Sequence, residues 1–337
     1  MEETHDIPLL SAGWRFRDYL GAFMVRSGIG RSRYRVRPGL YKSGSPSPAS
    51  PVLVTANYKL TVDRLRKNIG GLDSWILVLD TKGVNVWCAA GKGTFGTGEL
   101  VRSIRAAGLE DHVNHKTIIL PQLGAPGIDP REIRKETGFI VKYGPVESRD
   151  IPKFMESGMK ADPSMRRKQF PIGERAAVSY THFVQGLVPS VGIGAVLGAL
   201  SLLMKTSGGL GPGTVLLMYS LIAAASMLTG SVLTGILLPL LPGRAFSIKA
   251  ILPAIAFAAG SFAAFTRFVH SIPALLYSGG VILLLAAWLD FQTLNLTGSS
   301  TYTSLSGVRR EMTFALPALV SVVIAGAGLI IAGGILA

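Results

Sequence analysis

The chain has 337 residues and a formal net charge of +14, yet only 16% of its residues are charged and 48% are hydrophobic. Residues 1–175 hold 28 of the 34 basic and 18 of the 20 acidic residues, so residues 176–337 carry very few charges. A water-soluble domain of that size would need more, and the second half is predicted to lie in a membrane. This pattern excludes a soluble enzyme, a secreted disulfide scaffold and a disordered protein.

Cys88 is the only cysteine of the chain. It excludes an intramolecular disulfide, an iron–sulfur cluster and a four-cysteine zinc site built from this chain alone. The stretch Met1 to Arg17 carries early acidic residues and no apolar core, which is not the pattern of a signal peptide. The basic half is therefore expected to stay in the cytoplasm.

Residues 1–51 are predicted to be a basic N-terminal segment followed by a Ser/Pro-rich linker, Ser43–Pro51. Arginines alternate with aromatic residues over positions 14–37, a pattern that could bind nucleic acid. In a protein with a membrane half, the anionic inner leaflet is the favoured partner, and no nucleic-acid partner is predicted. The arginines are Arg15, Arg17, Arg26, Arg31, Arg33, Arg35 and Arg37.

Short apolar strands alternate with helices over residues 52–165. This alternation predicts a Rossmann-like α/β domain with an open, mostly parallel sheet, which binds ligands at the carboxyl ends of its strands. The predicted strands are Val52–Val54, Trp75–Leu79, Thr117–Leu120 and Phe139–Lys142. The predicted helices are Thr61–Ile69, Glu99–Ala107, Pro130–Thr137 and Ile151–Ser157.

The segment after Asp80 predicts a short helix that carries Cys88. Asn85 can cap its N-terminus and the glycines at 91 and 93 can end it, so Cys88 falls in the first turn. The helix dipole favours a thiolate there, and Lys92 adds a positive charge four residues on. A small buried core cysteine is the structural alternative, but the position at the carboxyl end of a strand favours a functional role.

Rival motifs in the same domain are weak. Gly91–Gly96 matches G-x-G-x-x-G, but a helical turn separates it from the strand, and Gly93 stands where a P-loop needs Ser or Thr. His112 and His115 are the histidines available to a cysteine nucleophile, and their polar surroundings indicate a surface turn. A metal role for these histidines is not favoured.

The second half predicts five membrane helices after a basic juxtamembrane segment, residues 166–183. The transmembrane domain, 184–337, has helices near 184–204, 214–241, 250–266, 272–289 and 313–336. Arg244, Lys249, Arg309 and Arg310 then lie on the side of the N-terminal half, which indicates a multi-pass inner-membrane protein with its N-terminal domain in the cytoplasm and its C-terminus outside. Few intramembrane charges favour an anchor over a transporter.

The run Asn85-Val86-Trp87-Cys88-Ala89-Ala90-Gly91-Lys92 matches the signature of the mercury-methylating corrinoid proteins of anaerobes. Their soluble domain is similar to the corrinoid-binding domain of the large subunit of the corrinoid iron–sulfur protein, and they also have a five-helix membrane tail. The resemblance covers about residues 14–160. Further matching blocks are Pro38–Tyr41, Thr55–Thr61, Leu120–Ala125 and Tyr143–Val146.

The resemblance implies a cobalamin cofactor with Cys88 as the lower axial ligand to cobalt and as the catalytic residue. It implies transfer of a methyl group from methyl-Co(III) cobalamin to Hg(II), giving methylmercury. A histidine ligand motif of the D-x-H-x-x-G kind is absent from the sequence, in agreement with a cysteine ligand. The cofactor-binding residues implied are Thr55, Asn85, Val86, Trp87, Cys88, Ala89, Ala90, Gly91, Lys92, Pro121, Gln122, Leu123 and Gly124.

The resemblance also implies partners. A ferredoxin-like protein with two [4Fe–4S] clusters would supply electrons and possess cysteines able to deliver Hg(II), because this chain has no iron–sulfur cluster of its own. Methyltetrahydrofolate or a methylated protein would donate the methyl group. Two alternatives stay open at the level of sequence: a membrane-anchored corrinoid methyl carrier of one-carbon metabolism with another acceptor, and a transporter with a cytoplasmic regulatory domain.

Overall fold

The computed structural model describes residues 7–299 and 305–337, and the chain divides into two compact units. The first comprises the described residues up to Val25 and Ile29–Lys168, and the second comprises Arg26–Gly28 and the described residues from Gln169 to Ala337. The first unit is a mixed α/β domain whose described residues form one five-stranded sheet in the order β1-β3-β2-β4-β5. Strands β2 to β5 are parallel and β1 pairs with β3 antiparallel. The predicted mostly parallel α/β fold is confirmed.

The strands are β1 Gly39–Ser43, β2 Val52–Ala56, β3 Ser74–Leu79, β4 Thr117–Leu120 and β5 Ile140–Tyr143. The helices of this unit are α1 Phe16–Arg26, α2 Lys59–Asn68, α3 Val86–Lys92, α4 Thr97–Ala106, α5 Leu109–His112, α6 Pro130–Thr137 and α7 Ile151–Glu156.

The central strands are apolar on both faces, which is why helices cover both sides of the sheet. Val54 and Leu77 point to one side, where they join a core with Leu100 of α4 and Ile133 of α6. Their strand neighbours point to the other side and join a second core with Val62 and Leu65 of α2 and Phe154 of α7. The alternation along each strand therefore makes a three-layer domain.

The sheet begins earlier in the chain than the sequence pattern predicts. Residues 1–51 were assigned to a segment and linker before the domain, whereas the structure pairs Gly39–Ser43 with Ser74–Val78 as an edge strand. Ser43–Pro51 joins this strand to β2, and its Ser47 carbonyl accepts a hydrogen bond from Trp75 Nε1 at 3.1 Å. The pattern of β1 is hard to detect because only Leu40 and Ser43 of its five residues are buried.

The second unit contains five helices, among the described residues, that are long and apolar enough to cross a membrane: Ile172–Leu203, Pro212–Leu237, Phe246–Phe265, Ile272–Gly298 and Gly307–Ile335. In finer detail they comprise α8 Ile172–Leu203, α9 Pro212–Met227, α10 Thr234–Leu237, α11 Phe246–Phe265, α12 Ile272–Asn295 and α13 Leu305–Ile335. Leu228–Leu233, between α9 and α10, has π-helical geometry, inside the helix predicted near 214–241.

Small residues bring these helices close together. A Cβ added at Gly194 of α8 would lie 2.5 Å from the Tyr219 carbonyl of α9, and one at Gly280 of α12 would lie 2.4 Å from the Gly326 carbonyl of α13. Such contacts between backbones are typical of helix packing in membranes. Glycines at these positions therefore allow the helix backbones to approach each other closely.

Helix α8 begins earlier than predicted. The sequence predicts a juxtamembrane segment over residues 166–183 and a helix near 184–204, but α8 begins at Ile172 and continues through Pro189. The proline sits well inside the helix, next to Ser190, whose hydroxyl donates to the Gly186 carbonyl at 2.7 Å and accepts from Trp288 Nε1 at 2.9 Å. The bond from Trp288 therefore links α12 to α8 next to the proline.

Candidate functional site

The ends of strands β2 and β3 are joined by the side chain of Asn57, which is 1% exposed. Its Oδ1 accepts hydrogen bonds from the Thr81 amide, the Thr81 hydroxyl and the Gly83 amide at 3.2, 2.9 and 2.9 Å. Its Nδ2 donates to Asp80 Oδ1 at 3.1 Å. One buried amide side chain therefore uses both of its ends to hold the loop that leaves β3.

This loop makes a tight left-handed turn before the next helix. Lys82 and Gly83 both have positive φ, 59° and 76°, and Lys82 is not a residue that favours this region. The bond from Gly83 to Asn57, together with a 2.6 Å bond from the Thr81 hydroxyl to the Val84 carbonyl, holds the turn in place. The position of the chain at Asn85 is thus determined by Asn57 and Thr81.

Asp80 is the charged member of the turn. A hydrogen bond from the Lys82 side chain holds the pKa of Asp80 below its usual range, and it outweighs the opposing effect of burial. The Asp80 amide donates to Glu99 Oε1 on α4 at 2.9 Å. The carboxylate is therefore an ionised, fixed group beside the strand ends.

The predicted cysteine helix is present as α3, and Asn85 caps it. Asn85 Oδ1 accepts from the Cys88 amide at 2.9 Å, which places Cys88 at the third position of the helix. Val86, Ala89 and Ala90 are buried in the core, whereas Trp87, Gly91 and Lys92 are exposed and Cys88 is half-buried. Cys88 is thus on the outward half of the helix, as a free thiol.

The C-terminal end of α3 is held by close packing. Gly93 ends the helix in the left-handed region, with φ 78°. Phe95 is fully buried, and an added Cβ at Gly124 would lie 2.5 Å from its ring. An added Cβ at Gly127 would lie 2.1 Å from the Phe95 carbonyl oxygen and 3.3 Å from Ala90 Cα. The turn Gln122–Gly127, which follows β4, therefore lies directly against this end of α3.

The other predicted site residues divide by accessibility. Pro121, Gln122 and Leu123 follow β4 and are half-buried, and Gln122 Oε1 accepts from Arg166 at 2.9 Å. Gly124 is buried beneath them, and Thr55 is 3% exposed within β2. Because β2, β3 and β4 are parallel, these residues and α3 share the carboxyl edge of the sheet.

The histidines lie away from this edge, as structural side chains. His115 Nε2 is 2.9 Å from the Ser50 carbonyl, and its Nδ1 accepts from the Thr117 amide at 3.2 Å. The His112 ring lies 5.4 Å from the Trp75 ring. Within residues 7–299 and 305–337, no group of three or more His, Cys, Asp or Glu residues is placed to hold a metal ion.

The sequence predicts the site residues on the cysteine helix, but it does not predict the residues elsewhere that hold this helix in position. Asn57 follows a strand directly, which was the signal available for it, but its four hydrogen bonds depend on how β2 and β3 pair. Phe95 and Gly127 lie 32 positions apart and gave no local signal. Their proximity is a property of the tertiary fold.

Fold and site together define a class: an open α/β domain with a capped, cysteine-bearing helix at the carboxyl edge of its sheet, in a chain that continues into five long apolar helices. The family model "CO dehydrogenase/acetyl-CoA synthase delta subunit" matches residues 28–155. The match covers the α/β unit, including β1 to β5 and the cysteine helix.

Curated relatives agree with this assignment of the α/β unit. The gamma subunit of the acetyl-CoA decarbonylase/synthase complex is 36% identical over 129 residues in Methanopyrus kandleri and over 130 residues in Methanosarcina acetivorans, covering 37% of this chain and 27% of each relative. The Methanothermobacter thermautotrophicus subunit is 31% identical over 153 residues, covering 44% and 33%. The chain thus spans about a third or less of these relatives' length. The first unit is a distant homologue of these gamma and delta subunits.

Proposed function

We propose that this protein is a membrane-anchored corrinoid methyltransferase that makes methylmercury from Hg(II), with Cys88 as the lower axial ligand to the cobalt of cobalamin. The observation that carries the proposal is the placement of the only cysteine. It lies on the outward half of a capped helix, at the carboxyl edge of a domain homologous to subunits of a one-carbon complex. The resemblance of residues 14–160 to corrinoid proteins supports cobalamin as the cofactor.

The residues at this edge fit such a cofactor. The Cys88 thiol is free and half-buried, so a large ligand can reach it. An added Cβ at Gly91 or Gly93 would meet no atom within 4 Å, so there is open space beside the helix. Pro121, Gln122 and Leu123 present a second half-buried surface at the same edge. Thr55, Val86, Ala89, Ala90 and Gly124 are buried and would support the site from beneath.

When bound, cobalamin supplies a cobalt atom that carries a methyl group and releases it to an acceptor. Cys88 would hold the metal as a thiolate, a strong electron donor. Such a donor would suit transfer of the methyl group to an electrophilic acceptor such as Hg(II). Asn85 fixes the helix that presents Cys88, and Trp87 and Lys92 would contact the cofactor from the same exposed half.

Partners follow from the balance of electrons. If the methyl group leaves with its two bonding electrons, the cofactor would need two electrons before it could accept another methyl cation. This chain has one cysteine, which cannot bind a [4Fe–4S] cluster through four thiolates, so the electrons would come from another protein. A ferredoxin-like protein with two such clusters is therefore proposed as reductant and Hg(II) donor. Methyltetrahydrofolate or a methylated protein would supply the methyl group. The apolar helices would anchor the domain to the cytoplasmic face of the inner membrane.

A second function is favoured by the comparisons themselves. The relatives are subunits of an acetyl-CoA decarbonylase/synthase complex, so this chain could pass its methyl group to an acceptor of one-carbon metabolism rather than to Hg(II). Both functions use the same cofactor and the same Cys88. They differ in the acceptor.

The test begins with anaerobic purification of the full chain, reconstitution with cobalamin and comparison of visible spectra for the wild type, Cys88→Ala and Lys135→Ala. Lys135 is exposed on α6, away from the cysteine helix, and serves as the matched control. We expect the cobalt spectrum to change in Cys88→Ala alone, and methyl transfer to Hg(II) to be abolished in that variant.

Each result has a distinct meaning. An unchanged spectrum and full activity in Cys88→Ala would refute the cysteine-ligand mechanism. A cysteine-dependent spectrum with a methyl group that reaches a one-carbon acceptor but not Hg(II) would establish the second function. Absence of bound corrinoid in all three proteins would reject both.

A further inference from the structure

Helix α1 is fastened to α2 by a buried charge network on one of its faces. Asp18 accepts from Lys59 at 2.6 Å and from Arg66 at 2.7 Å, and Arg66 also bonds the carbonyls of Ser11 and Gly13. Burial opposes ionisation of Asp18, but the bonds from Lys59, the Arg15 amide and Arg66 outweigh it and hold the pKa of Asp18 well below its usual range. The helix up to Val25 is therefore a fixed part of the α/β unit, and its last residue, Arg26, belongs to the second unit.

Two apolar residues complete the attached face. Ala22 and Val25 are 3% and 2% exposed, and they share their side of the helix with Asp18. This side accounts for the stability of the helix. On the opposite side, the Tyr19 ring contacts the Trp14 ring edge-on, with centroids 5.0 Å apart, but the large side chains of that side remain exposed.

The opposite face of α1 is apolar and exposed. Phe16, Tyr19, Leu20 and Phe23 are 79%, 54%, 46% and 57% exposed, and their spacing of three and four residues puts them on one side of the helix. Large aromatic and aliphatic side chains that form a continuous exposed face mark an interaction surface. The surface defined by these four residues is called the aromatic face below.

The surroundings of the aromatic face are strongly basic. Arg17 lies to one side of it and is exposed, and Arg15 precedes the helix. Asp18 is the only acidic residue between positions 14 and 37, and it is neutralised by Lys59 and Arg66. Further exposed arginines follow the helix, at Arg31, Arg33, Arg35 and Arg37.

We infer that the aromatic face of α1 lies in the headgroup region of an anionic phospholipid membrane. An apolar helix face flanked by arginines combines the two forces that hold interfacial helices: burial of apolar side chains and attraction to anionic lipid. The same chain contains five helices that are long and apolar enough to cross a membrane, so it would be attached to a bilayer. The inference stands apart from the proposed function, since α1 carries no residue of the cysteine helix.

The experiment places a single spin label on the full chain in lipid nanodiscs. In a Cys88→Ala background, Leu20→Cys puts the label on the aromatic face and Lys135→Cys puts it on α6, whose core contacts lie on the other side of the sheet from those of α2. Discs contain phosphatidylcholine alone or with phosphatidylglycerol. Collision with oxygen, which partitions into lipid, is compared with collision with a water-soluble nickel chelate.

In anionic discs the label at position 20 is expected to meet oxygen and to be shielded from nickel, whereas the label at position 135 meets nickel. The double variant Arg15→Gln, Arg17→Gln should lower the ratio of labels in lipid to labels in water at position 20 by about fivefold for each charge removed. Circular dichroism checks that the variants fold.

Three results would overturn the inference. Free access of nickel to position 20 in both kinds of disc would show a face exposed to water. Shielding from both reagents would show that protein covers it, such as a second copy or a partner. Equal shielding in neutral and anionic discs, unaffected by loss of Arg15 and Arg17, would remove the role of lipid charge.

Discussion

The two ends of the cysteine helix are held by different physical forces. The N-terminal end depends on polar groups: Asn57 and Thr81 hold the turn that leads to Asn85. The C-terminal end depends on the absence of side chains, since Gly124 and Gly127 allow the turn after β4 to approach Phe95. A hydrogen-bonded end can lengthen its bonds and adjust, whereas a packed end has no free space. The C-terminal end should therefore be the less tolerant of change.

Gly127→Ala tests the packed end and should have the largest effect. The new methyl group would lie 2.1 Å from the Phe95 carbonyl oxygen, a backbone atom that a rotamer change cannot move aside. We expect a loss of about 3 kcal/mol in local stability, the upper part of the range for overpacked sites. Because Cys88 is the only cysteine, its alkylation rate reports displacement of the helix, and this rate should rise by at least tenfold.

Gly91→Ala is the matched control on the helix itself. It adds the same methyl group where no atom lies within 4 Å, and alanine has the higher helix propensity. Its alkylation rate should stay near that of the wild type unless the new methyl group screens the thiol directly. Equal behaviour of Gly127→Ala and Gly91→Ala would contradict a packed C-terminal end.

Asn57→Ala tests the polar end. The change removes the acceptor of the Gly83 amide, while the Thr81 amide and hydroxyl keep the Leu79 and Val84 carbonyls, so the cost should be about 1 kcal/mol. Amide hydrogen exchange over residues 80–88 should accelerate, and that over residues 122–127 should change little. Asn114→Ala removes an exposed asparagine from a loop and should leave both segments as they are. Unchanged exchange at residues 80–88 would mean that Thr81 and Asp80 hold the turn without Asn57.

This contrast also explains what the sequence could predict. The cap by Asn85, the first-turn position of Cys88 and the glycine stop at 93 follow from local rules, and the structure contains all three. Thr117–Leu120 and Pro130–Thr137 have the predicted bounds. The packing of Gly127 on Phe95 could not be predicted, because it depends on how the elements after β3 and β4 meet in space. Features that depend on neighbouring residues can be predicted from the sequence, whereas contacts between distant residues cannot.

The apolar helices show the same difference between local and long-range features. Their number and approximate positions follow from runs of uncharged residues. The first helix is predicted near 184–204, with Pro189 close to its start, but α8 begins seventeen residues before this proline. Membrane helices tolerate an interior proline when their surroundings satisfy the backbone group that it frees, so a proline does not by itself mark a helix start. The limit of α8 therefore could not be set from the proline alone.

Acid should loosen the polar end of the cysteine helix and leave the packed end unchanged, with the smallest of these effects. The folded-state pKa of Asp80 is lowered, chiefly by its hydrogen bond from Lys82, so ionised Asp80 contributes stability above its unfolded pKa of about 3.9. That contribution is lost as the pH falls through the lower folded-state value. Because Lys82 is 66% exposed, the contribution should be below about 1 kcal/mol.

Hydrogen exchange, corrected for its intrinsic dependence on pH, measures this effect. Protection of residues 80–85 relative to residues 122–127 should decline below about pH 4 in the wild type. Asp80→Asn lacks the charge at every pH, so it should begin with weaker protection at neutral pH and show a flatter decline. A parallel decline in both segments of the wild type would instead indicate general acid unfolding. A decline of the same size in Asp80→Asn would assign the acid sensitivity to another carboxylate, and Glu99, which accepts from the Asp80 amide, would be the next to replace.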